Sequence, residues 1–497
     1  MGETDVQKFY NGATVFLTGG TGFLGKMLIE KLLRSTDVKI IYILIREKKG
    51  KNVDSRVEGI FEDVMFDVLK KKLPKFRQKI WPIAGDCSIS GLGITLEDRK
   101  KIISTTNIVF HLAATVKLDE NLKQAFYINV NGTNEIVLLS KQMKDLKSVI
   151  YVSTAYSNCH LKAIDEKFYD HPNDYEEFGV FLEKLNDKET EIITPRILQK
   201  WPNTYSFTKA MAESLIKKTG HGLPIGIFRP SIVISTYKEP ISGWIDNMYG
   251  PTGAMAQIQF GLLRTLKVND SMLADLIPVD TCVAGLIAAA WDVGTEKTER
   301  TSKNISIYNY VSSVENPITW KDFYFICRLH GLQYPLLKTL WIPYMINTNS
   351  EILYKIYTFL FHLLPALPVD LFAIITGNKP RLLKTYRKIH KFIDATDFFR
   401  RREWTFSNEK TKQLYAKLSP EDKALFPLNI EQVNWFIFLN DYMKGVRKYL
   451  LKDFDNTLKD ALTRANRLYW IDAIVRKVIL GAFIIFAWNL ILKMFSY

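Results

Sequence analysis

Cysteine is scarce in this sequence of 497 residues, and the spacing of its four copies is informative. Cys87, Cys159, Cys282 and Cys327 lie far apart, and none of them belongs to a CxxC pair. This pattern excludes a disulfide framework and a zinc site built on paired cysteines. It is typical of reduced thiols in a protein that faces the cytosol, and we expect no bound metal.

Acidic residues are also under-represented, since 52 Asp and Glu stand against 67 Lys and Arg. The net charge of +15 indicates an anionic partner, such as nucleic acid, a phosphorylated cofactor or a membrane surface. No zinc-finger spacing or RNA-binding signature accompanies the charge, so we expect no nucleic-acid partner. The first residues, MGETDVQKFYNGATVF, contain no apolar signal-peptide core, and Val6 does not fit the myristoylation pattern.

Two long apolar runs occur, both in the last third of the sequence. The run at 478–492, VILGAFIIFAWNLIL, is shorter than the roughly 20 residues of a typical membrane span, but cations flank it. We expect residues 473–497 to anchor the chain in a membrane, either by spanning it or by lying in it. The run at 352–377 is interrupted by two prolines and Asp370, which favours a hydrophobic helical hairpin or connector over a clean transmembrane helix.

Short β-rich runs alternate with helical patterns through the first 230 residues. Near-continuous apolar strands separated by helices predict a parallel sheet covered on both faces, and the doubly wound dinucleotide-binding fold is the common form of that class. The predicted strands are 13–19, 39–46, 79–85, 107–114, 148–154 and 224–230. The predicted helices are 25–35, 55–72, 95–103, one from about Asn121, and one around Tyr205.

The pattern loosens after Pro230. A glycine-rich loop is expected at 241–254, and a loop leading into a buried helix at 275–291. We interpret 231–350 as a smaller substrate lobe, so that 1–350 forms one α/β domain. A helical C-terminal domain is expected at 378–472. Its first segment, 378–410, contains ten cationic and four acidic residues. Such a segment is either a solvated face or a surface that contacts a membrane or a phosphate group.

The segment TGGTGFLG, residues 18–25, lies where the first strand ends and the first helix begins. Glycine at the first position of such a turn permits its tight geometry, at the second lets the backbone approach a pyrophosphate, and at the third lets the helix pack on the strand. The helix N-terminus then offers N–H groups to the anion. We expect cofactor contacts from Thr18, Gly19, Thr21, Gly22, Phe23, Leu24 and Gly25.

Arg46 ends the second predicted strand, the position that selects the nicotinamide cofactor. An acidic residue there would bind the ribose 2′-hydroxyl of NADH, whereas arginine accommodates the 2′-phosphate of NADPH. Lys48 and Lys49 follow closely, with Glu47 between them and the arginine. NADPH is therefore the expected cofactor, although a basic solvated loop would have the same sequence.

Tyr205 and Lys209 are four residues apart and thus lie on one face of a helix. Such a pair commonly does no more than cover apolar surface with long side chains. A nearby ammonium group would, however, lower the pKa of a phenol toward a useful range. The spacing alone does not distinguish these alternatives.

Several further motifs occur in the order found in extended short-chain dehydrogenases/reductases. Within that superfamily the chain resembles a fatty acyl-CoA reductase, and the likeness covers nearly the whole chain, including a C-terminal domain of the sterility type. The segments that carry the likeness are TGGTGFLG, Gly85–Asp86, HLAA at 111–114, NVNGT at 129–133, VSTAY at 152–156, YSFTK at 205–209, FRPS at 228–231, GWIDN at 243–247 and IPVD at 277–280.

The resemblance implies roles for individual residues. Tyr205 would protonate the developing alkoxide, and Lys209 would lower the pKa of the tyrosine and bind the nicotinamide ribose. A hydroxyl at the end of strand five would bind the carbonyl oxygen; both Ser153 and Thr154 are available, and the motif favours Thr154. Cofactor contacts are implied for Asp86, Ala113, Asn129 and Pro230, with Asn129 bracing the site.

Other residues near these motifs have ordinary structural interpretations. His111 is expected to be a satisfied core histidine. Asp280 and Trp244 fit a helix cap and core packing at least as well as a functional role. A covalent route through Cys159 would need a nearby base, which the sequence does not identify.

The implied reaction is NADPH-dependent reduction of a long-chain fatty acyl-CoA to a primary alcohol through an aldehyde. Two alternatives stay open: another membrane-bound reductase of this superfamily, such as a hydroxysteroid dehydrogenase, and a catalytically silent member. Besides the acyl-CoA, membrane lipid is an expected partner, and homo-oligomerisation is left open. The catalytic domain is expected to face the cytosol from the endoplasmic reticulum, with peroxisome and lipid droplet as alternatives.

Overall fold

The computed structural model describes residues 2–47, 50, 52–296 and 305–495. Its central element is a seven-stranded sheet with the strand order β11-β7-β5-β4-β1-β2-β3, in which every pairing is parallel. The seven strands are β1 (Thr14–Thr18), β2 (Ile40–Ile45), β3 (Ile80–Ala84), β4 (Ile108–His111), β5 (Ser148–Val152), β7 (Ile225–Pro230) and β11 (Ser306–Tyr310).

Six of these strands agree with the sequence prediction to within three residues at each end. The seventh, β11, was not predicted, because its tyrosines and asparagine give it a less apolar sequence than the other strands. The remaining strands form two-stranded parallel pairs: β6 (Ala163–Ile164) with β13 (Thr405–Phe406), β8 (Ile232–Ile234) with β10 (Leu276–Pro278), and β9 (Thr265–Lys267) with β12 (Ile346–Thr348).

Helices occupy most of the connections between the strands. Up to the seventh sheet strand they are α1 (Asp5–Tyr10), α2 (Phe23–Ser35), α3 (Val53–Phe61), α4 (Asp67–Lys72), α5 (Leu96–Thr105), α6 (Leu122–Phe126), α7 (Gly132–Ser140), α8 (Tyr175–Glu183), α9 (Asp187–Leu198), α10 (Thr204–Thr219), α11 (Gly250–Gln259) and α12 (Val279–Thr295). Beyond it they are α13 (Trp320–Gly331), α14 (Glu351–Thr358), α15 (Leu364–Ile375), α16 (Leu382–Arg400), α17 (Glu409–Lys417), α18 (Pro420–Leu425), α19 (Trp435–Gly445) and α20 (Leu458–Phe495).

The strand order reverses direction between β1 and β4. In open parallel sheets of this kind, ligands bind beyond the carboxyl ends of the strands at the point of reversal. The sheet and its helices therefore form the expected doubly wound Rossmann architecture, and the reversal places the ends of β1, β4 and β5 at one edge. The predicted α/β fold class is confirmed.

Two sequence expectations differ from the structure in detail. The predicted helix 55–72 is divided into α3 and α4 by a short 3₁₀ turn at Val64–Phe66, which the Asp63 carboxylate caps. The loop predicted at 241–254 ends early, because α11 begins at Gly250 with Pro251 in its first turn. Proline favours that position, since it has no N–H that would be left unpaired there.

The chain divides into two compact units that do not follow chain order. Unit 1 comprises Met1–Trp244, Leu273–Ile318 and Arg402–Trp435, and it contains the seven-stranded sheet. Unit 2 comprises Ile245–Met272, Thr319–Arg401 and Phe436–Tyr497. Part of the C-terminal region thus completes the α/β unit, and β13 pairs with β6 within it.

Unit 2 is mainly helical. Its buried Arg447 side chain donates to the carbonyls of Pro335 and Phe454 and to the Asp453 carboxylate. The residues Glu351–Ile375 form one continuous helix that contains both prolines and a π-helical turn at Phe359–Leu363. In the part of the chain that the structure describes, this is the one helix found to be long and apolar enough to cross a membrane.

The Arg229 side chain on β7 is completely buried in unit 1 and is paired with Glu213 on α10. Its Nε and Nη2 donate to the two carboxylate oxygens over 2.9 and 2.6 Å. The remaining donors reach the carbonyls of Asp165 and Lys167, both over 2.9 Å. A buried charge with this many partners is costly to leave unpaired.

We expect Glu213→Gln to lower the free energy of unfolding by about 3–5 kcal/mol, because the buried guanidinium would lose its compensating charge. Chemical denaturation of the purified chain measures this effect. The matched control is Asp170→Asn, which removes an exposed partner of Lys217 on the same helix and should leave the denaturation midpoint nearly unchanged. Equal midpoints for the two variants would contradict the central role of the buried pair.

Candidate active site

The glycine-rich segment connects β1 to α2 in a tight turn. Gly19 has a φ of +75°, and its carbonyl accepts a hydrogen bond from the Gly22 amide over 2.9 Å. A Cβ at Gly19 would lie 2.7 Å from the amide nitrogen of Ala113, and one at Gly25 would lie 2.2 Å from the Gly19 carbonyl oxygen. Neither position can therefore accommodate a side chain without moving backbone.

The N-terminus of α2 has no side-chain cap, because Gly22 occupies the N-cap position. The first amides of the helix at Phe23 and Leu24 therefore lack the partner that Ser, Thr, Asp or Asn would supply. Unpaired amides and the helix dipole together favour a bound anion such as a pyrophosphate. The predicted contacts at this turn stay predictions, and the local geometry is compatible with them.

A chain of buried hydrogen bonds links β1 to β4 behind the turn. Thr18 Oγ1 accepts from the Ala113 amide over 3.2 Å and lies 2.7 Å from Nδ1 of His111. Nε2 of His111 lies 3.1 Å from the Thr133 hydroxyl, which itself donates to the Asn129 carbonyl over 2.7 Å. These contacts assign the proton of the imidazole to Nε2.

Burial, together with the charge of Lys209, lowers the pKa of His111 to about 3. The histidine is thus neutral, and both ring nitrogens have partners within the protein. Its interpretation as a satisfied core residue is confirmed.

The predicted 2′-phosphate residue, Arg46, follows β2 and is about half exposed, 3.8 Å from the Asp86 carboxylate. Arg56 on α3 is a second cation at this point, which the sequence analysis did not identify. Its guanidinium donates to the Arg46 carbonyl and lies 3.5 Å from the Thr21 hydroxyl. Lys48 and Lys49 lie outside the described residues.

Asp86 lies in the turn after β3, where its Oδ1 accepts from the amide and the hydroxyl of Ser88, both over 2.9 Å. Its backbone amide donates to the Leu92 carbonyl over 2.8 Å. The carboxylate is therefore fixed at the end of the sheet beside Arg46. This is the edge at which the adenine side of a dinucleotide is expected.

Asn129 is buried in a π-helical turn at Tyr127–Asn131. Its Oδ1 accepts from the Thr115 amide over 2.9 Å, and its Nδ2 donates to the Thr208 hydroxyl over 2.9 Å. The side chain thus connects the segment after β4 to the helix α10. Thr208 itself donates to the Thr204 and Tyr205 carbonyls, so the amide holds the turn of helix that carries Tyr205.

Tyr205 lies in the first turn of α10, which Asn203 caps by accepting from the Ser206 amide over 2.8 Å. Burial raises the pKa of the Tyr205 phenol to about 12, and a hydrogen bond with the Thr154 side chain lowers it. The phenol is therefore protonated at neutral pH. Part of the tyrosine side chain remains accessible to solvent.

Lys209 lies one turn further along α10 and is almost completely buried. Its ammonium donates to the Val152 carbonyl over 2.6 Å and lies 4.3 Å from the centre of the Tyr151 ring. Burial lowers the pKa of Lys209 to about 7, although the charge of Glu213 raises it. The lysine is thus fixed against the end of β5 and is close to losing its proton at neutral pH.

Ser153 and Thr154 both follow β5, but their side chains have different partners. The Ser153 hydroxyl donates to Glu213, within the buried ion pair of Arg229. The Thr154 hydroxyl reaches Tyr205 and accepts from the Tyr156 amide over 3.2 Å. Thr154 is therefore the hydroxyl beside the phenol, whereas Ser153 belongs to the ion-pair network.

Cys159 lies in the same segment and is buried. Burial raises the pKa of its thiol to about 12, so the sulfur is protonated at neutral pH and is a poor nucleophile. This argues against a covalent route through the cysteine.

Two tryptophans hold the segment that carries Thr154, and the sequence analysis identified neither. The indole of Trp201 donates to the Ser157 carbonyl over 2.8 Å, and that of Trp404 donates to the Cys159 carbonyl over 3.0 Å. Tyr156 packs edge-on against Trp404, with ring centres 5.1 Å apart. Trp404 is distant in sequence, so no local pattern could have indicated its place.

The remaining residues of interest have structural contacts. The buried Trp244 stacks on Phe23 at 5.3 Å and donates to the Asp63 carboxylate over 2.9 Å, which supports the interpretation as core packing. The carboxylate of Asp280 accepts from three consecutive amides, Tyr237 to Glu239, and thus holds a turn rather than the end of its own helix. The Pro230 carbonyl accepts from the Ala155 amide over 2.9 Å, next to Thr154.

Comparison with known families gives two matches along the chain. An NAD-binding family profile described as male sterility protein matches residues 17–286, and a second profile with the same description matches residues 361–453. The first match covers more than half of the sequence and includes the glycine-rich turn, Thr154, Tyr205 and Lys209. It supports binding of a nicotinamide cofactor in this region.

Solved structures with a similar fold include two reductase domains. The terminal reductase domain of the myxalamid biosynthetic pathway has a TM-score of 0.58 at 16% identity, covering 88% of this chain and 91% of that one. The reductase domain of a nonribosomal peptide synthetase from Mycobacterium tuberculosis has a TM-score of 0.57 at 19% identity, covering 89% and 94%. At these identities the likeness supports the fold alone.

Curated relatives match nearly the whole length. The fatty acyl-CoA reductase wat of Drosophila melanogaster is 42% identical over 466 residues, which cover 94% of this chain and 89% of that protein. Human fatty acyl-CoA reductases 1 and 2 are 38% and 36% identical over 464 residues, with 93% and 89% coverage in each case. With both profiles matched in order and this extent of identity, the chain belongs to the fatty acyl-CoA reductase family and is an oxidoreductase.

Proposed function

We propose that this protein reduces long-chain fatty acyl-CoA to the primary alcohol through an aldehyde, with NADPH as the reductant. The observation that carries the proposal is the arrangement of Thr154, Tyr205 and Lys209 at the end of β5, at the same edge of the parallel sheet as the uncapped N-terminus of α2. The family membership supplies the substrate class.

The residues at the turn fit a bound dinucleotide. The glycines leave no room for side chains, and the first amides of α2 are available to a pyrophosphate. Arg46 and Arg56 would meet a 2′-phosphate at the end of β2, where an NADH-selective site would have a carboxylate. One bound NADPH would supply the hydride that reduces the thioester, and a second NADPH, bound after the oxidised cofactor has left, would supply the hydride that reduces the aldehyde.

Thr154 and Tyr205 would both donate to the substrate carbonyl oxygen. Negative charge develops on that oxygen as the carbonyl is reduced, and two fixed donors stabilise it without reorganisation. The high pKa of Tyr205 keeps the phenol protonated, as an acid for the reductive direction must be. After reduction of the thioester, the tetrahedral thiohemiacetal would release CoA as a thiol and leave the aldehyde.

Lys209 would hold a positive charge close to the phenol. In its protonated form the ammonium would lower the cost of the phenolate that forms when Tyr205 gives up its proton. The bond to the Val152 carbonyl fixes the side chain, so that little reorganisation is needed during the reaction. The expected contact with the nicotinamide ribose would use a remaining N–H of the ammonium group.

We expect the purified chain with NADPH and palmitoyl-CoA to form hexadecanol, with two NADPH consumed for each alcohol. Product analysis by gas chromatography, together with the fall in absorbance of NADPH, measures both quantities. Tyr205→Phe should reduce kcat by about 10²–10⁴-fold while cofactor binding is retained. Consumption of NADPH with a steroid, and not with the acyl-CoA, would refute the assigned substrate.

The neighbouring hydroxyls provide a matched pair of variants. Thr154→Val removes a donor to the reacting oxygen and should lower kcat by about 10²–10³-fold. It also removes the acceptor of the buried Tyr156 amide, so it should lower the free energy of unfolding by about 1–3 kcal/mol. Ser153→Ala removes a bond to Glu213 and should change stability by about 1 kcal/mol, with kcat nearly unchanged. The reverse pattern would assign the catalytic role to Ser153.

Arg46→Glu tests the cofactor preference. Loss of a charge-assisted contact to the 2′-phosphate should lower kcat/KM for NADPH by about 10–100-fold. The value for NADH should not fall, because NADH has no phosphate at that position. Lys188→Glu, an exposed charge reversal on α9, controls for the change in net charge. An equal fall in kcat/KM with NADPH and with NADH would show that Arg46 does not bind the 2′-phosphate.

A further inference from the structure

The helix Glu351–Ile375 and the following α16 form a hairpin in unit 2, which we call the apolar hairpin. The two helices pack against each other, and the turn between them is 376–381. The Asp370 carboxylate accepts from the amides of Arg381, Leu382 and Leu383 over 2.9–3.0 Å, and so caps the start of α16. The acid that interrupts the apolar run in the sequence is therefore directed into the protein.

His362 is the other strongly polar residue between 356 and 375, and it is also buried. Its Nε2 accepts from the Arg264 amide over 3.0 Å, and its Nδ1 lies 3.0 Å from Nε2 of His390. The ring stacks on Tyr386 at 4.9 Å between centres. Like Asp370, it makes its contacts on the side of the helix that faces the protein.

The outward side of this helix has the opposite character. Every exposed residue from 356 to 375 is apolar, and most exposures exceed 45%. The large ones are Ile356, Phe359, Leu360, Leu364, Leu367, Val369, Leu371, Phe372, Ile374 and Ile375. A water-facing helix normally has its polar residues outside and its apolar residues inside, so this arrangement is inverted.

A continuous apolar surface of this size is unusual on a protein that is surrounded by water. The helix is about 37 Å long at 1.5 Å per residue. The turn and the start of α16 add exposed cations and no acid, since residues 371–393 contain neither Asp nor Glu. The exposed cations are Lys379, Arg381, Lys384, Arg387, Lys388 and Lys391.

We propose that the apolar hairpin is a docking surface for an anionic lipid bilayer, in which its helix lies along the interface. The apolar side chains would enter the boundary between headgroups and acyl chains, and the cations would meet the anionic headgroups. The inward contacts of His362 and Asp370 keep one side of the helix on the protein, so the helix does not cross the bilayer. This surface is separate from the tail at 473–497 and does not depend on the proposed reaction.

A single thiol provides a direct test in the full-length chain. The four native cysteines are buried, so Phe372→Cys, at a position 67% exposed, can be labelled selectively with an environment-sensitive fluorophore. Ile192→Cys is the matched control, at an exposed apolar position on α9 in unit 1. This variant retains the tail at 473–497, so any membrane binding by the tail is the same in both labelled proteins.

We expect the emission of the label at 372 to shift to the blue with vesicles of phosphatidylcholine containing about 30% phosphatidylserine, and lipid-borne quenchers to reach it. The label at 192 should not change. Arg387→Glu with Lys388→Glu should raise the lipid concentration for half of the shift by about tenfold or more, since each cation near such a surface contributes about fivefold.

Three outcomes would overturn the proposal. First, the protein could bind the vesicles through its tail while the emission of the label at 372 stays unshifted, like that of the label at 192. Second, the shift could appear without lipid and grow with protein concentration, which would assign the surface to a second copy of the chain. Third, an emission shift on purely zwitterionic vesicles equal to that on the anionic vesicles would show that the cations do not contribute to binding.

Discussion

The buried ion pair between Arg229 and Glu213 is the interaction on which the geometry of the proposed catalytic residues depends. It joins a strand of the sheet to the helix that carries Tyr205 and Lys209, and the same carboxylate takes the Ser153 hydroxyl. Because Ser153 is engaged there, the next residue along the chain is directed toward the phenol. A charge pair in the core thus binds one of two adjacent hydroxyls and leaves the other, Thr154, beside the phenol.

The same network extends to the C-terminal part of the chain. Arg229 donates to the carbonyls on either side of Glu166, and the Glu166 carboxylate accepts from the amides of Asn309, Lys410 and Thr411. The buried Arg229 and Glu213, together with the half-buried Glu166, therefore connect the sheet, the helix α10 and the beginning of α17. The geometry of the proposed site therefore depends on the whole α/β unit rather than on its first 230 residues alone.

The described part of the chain contains three π-helical turns, and they share one feature. Each contains a buried polar residue that makes long-range hydrogen bonds: Asn129 at Tyr127–Asn131, His362 at Phe359–Leu363 and Arg447 at Val446–Leu450. A π turn adds one residue to a helical turn and so changes the direction of the side chains that follow it. In this protein each π-helical turn thus occurs where a buried polar side chain connects its helix to another segment of the chain.

The sequence predicts the sheet well, because buried parallel strands are continuous apolar runs and the glycine turn has a distinctive spacing. It also identifies Tyr205, Lys209 and Arg46 as candidates. It could not decide between Ser153 and Thr154, since that choice depends on Glu213, 60 residues away. Tertiary contacts, rather than a local sequence pattern, likewise determine the position of Trp404, the inward direction of the Asp370 side chain and the continuity of the helix that contains Asp370.

The insertion of Arg402–Trp435 into the α/β unit has a consequence for the order of folding. During synthesis the first six strands of the sheet, and β11 after them, emerge long before the segment that supplies β13 and Trp404. The Cys159 carbonyl therefore cannot accept its hydrogen bond from Trp404 until most of the chain has left the ribosome. The same is true of the pairing of β6 with β13. Maturation of the Thr154 segment is thus coupled to completion of the chain, and an unfinished product would present an incompletely supported site.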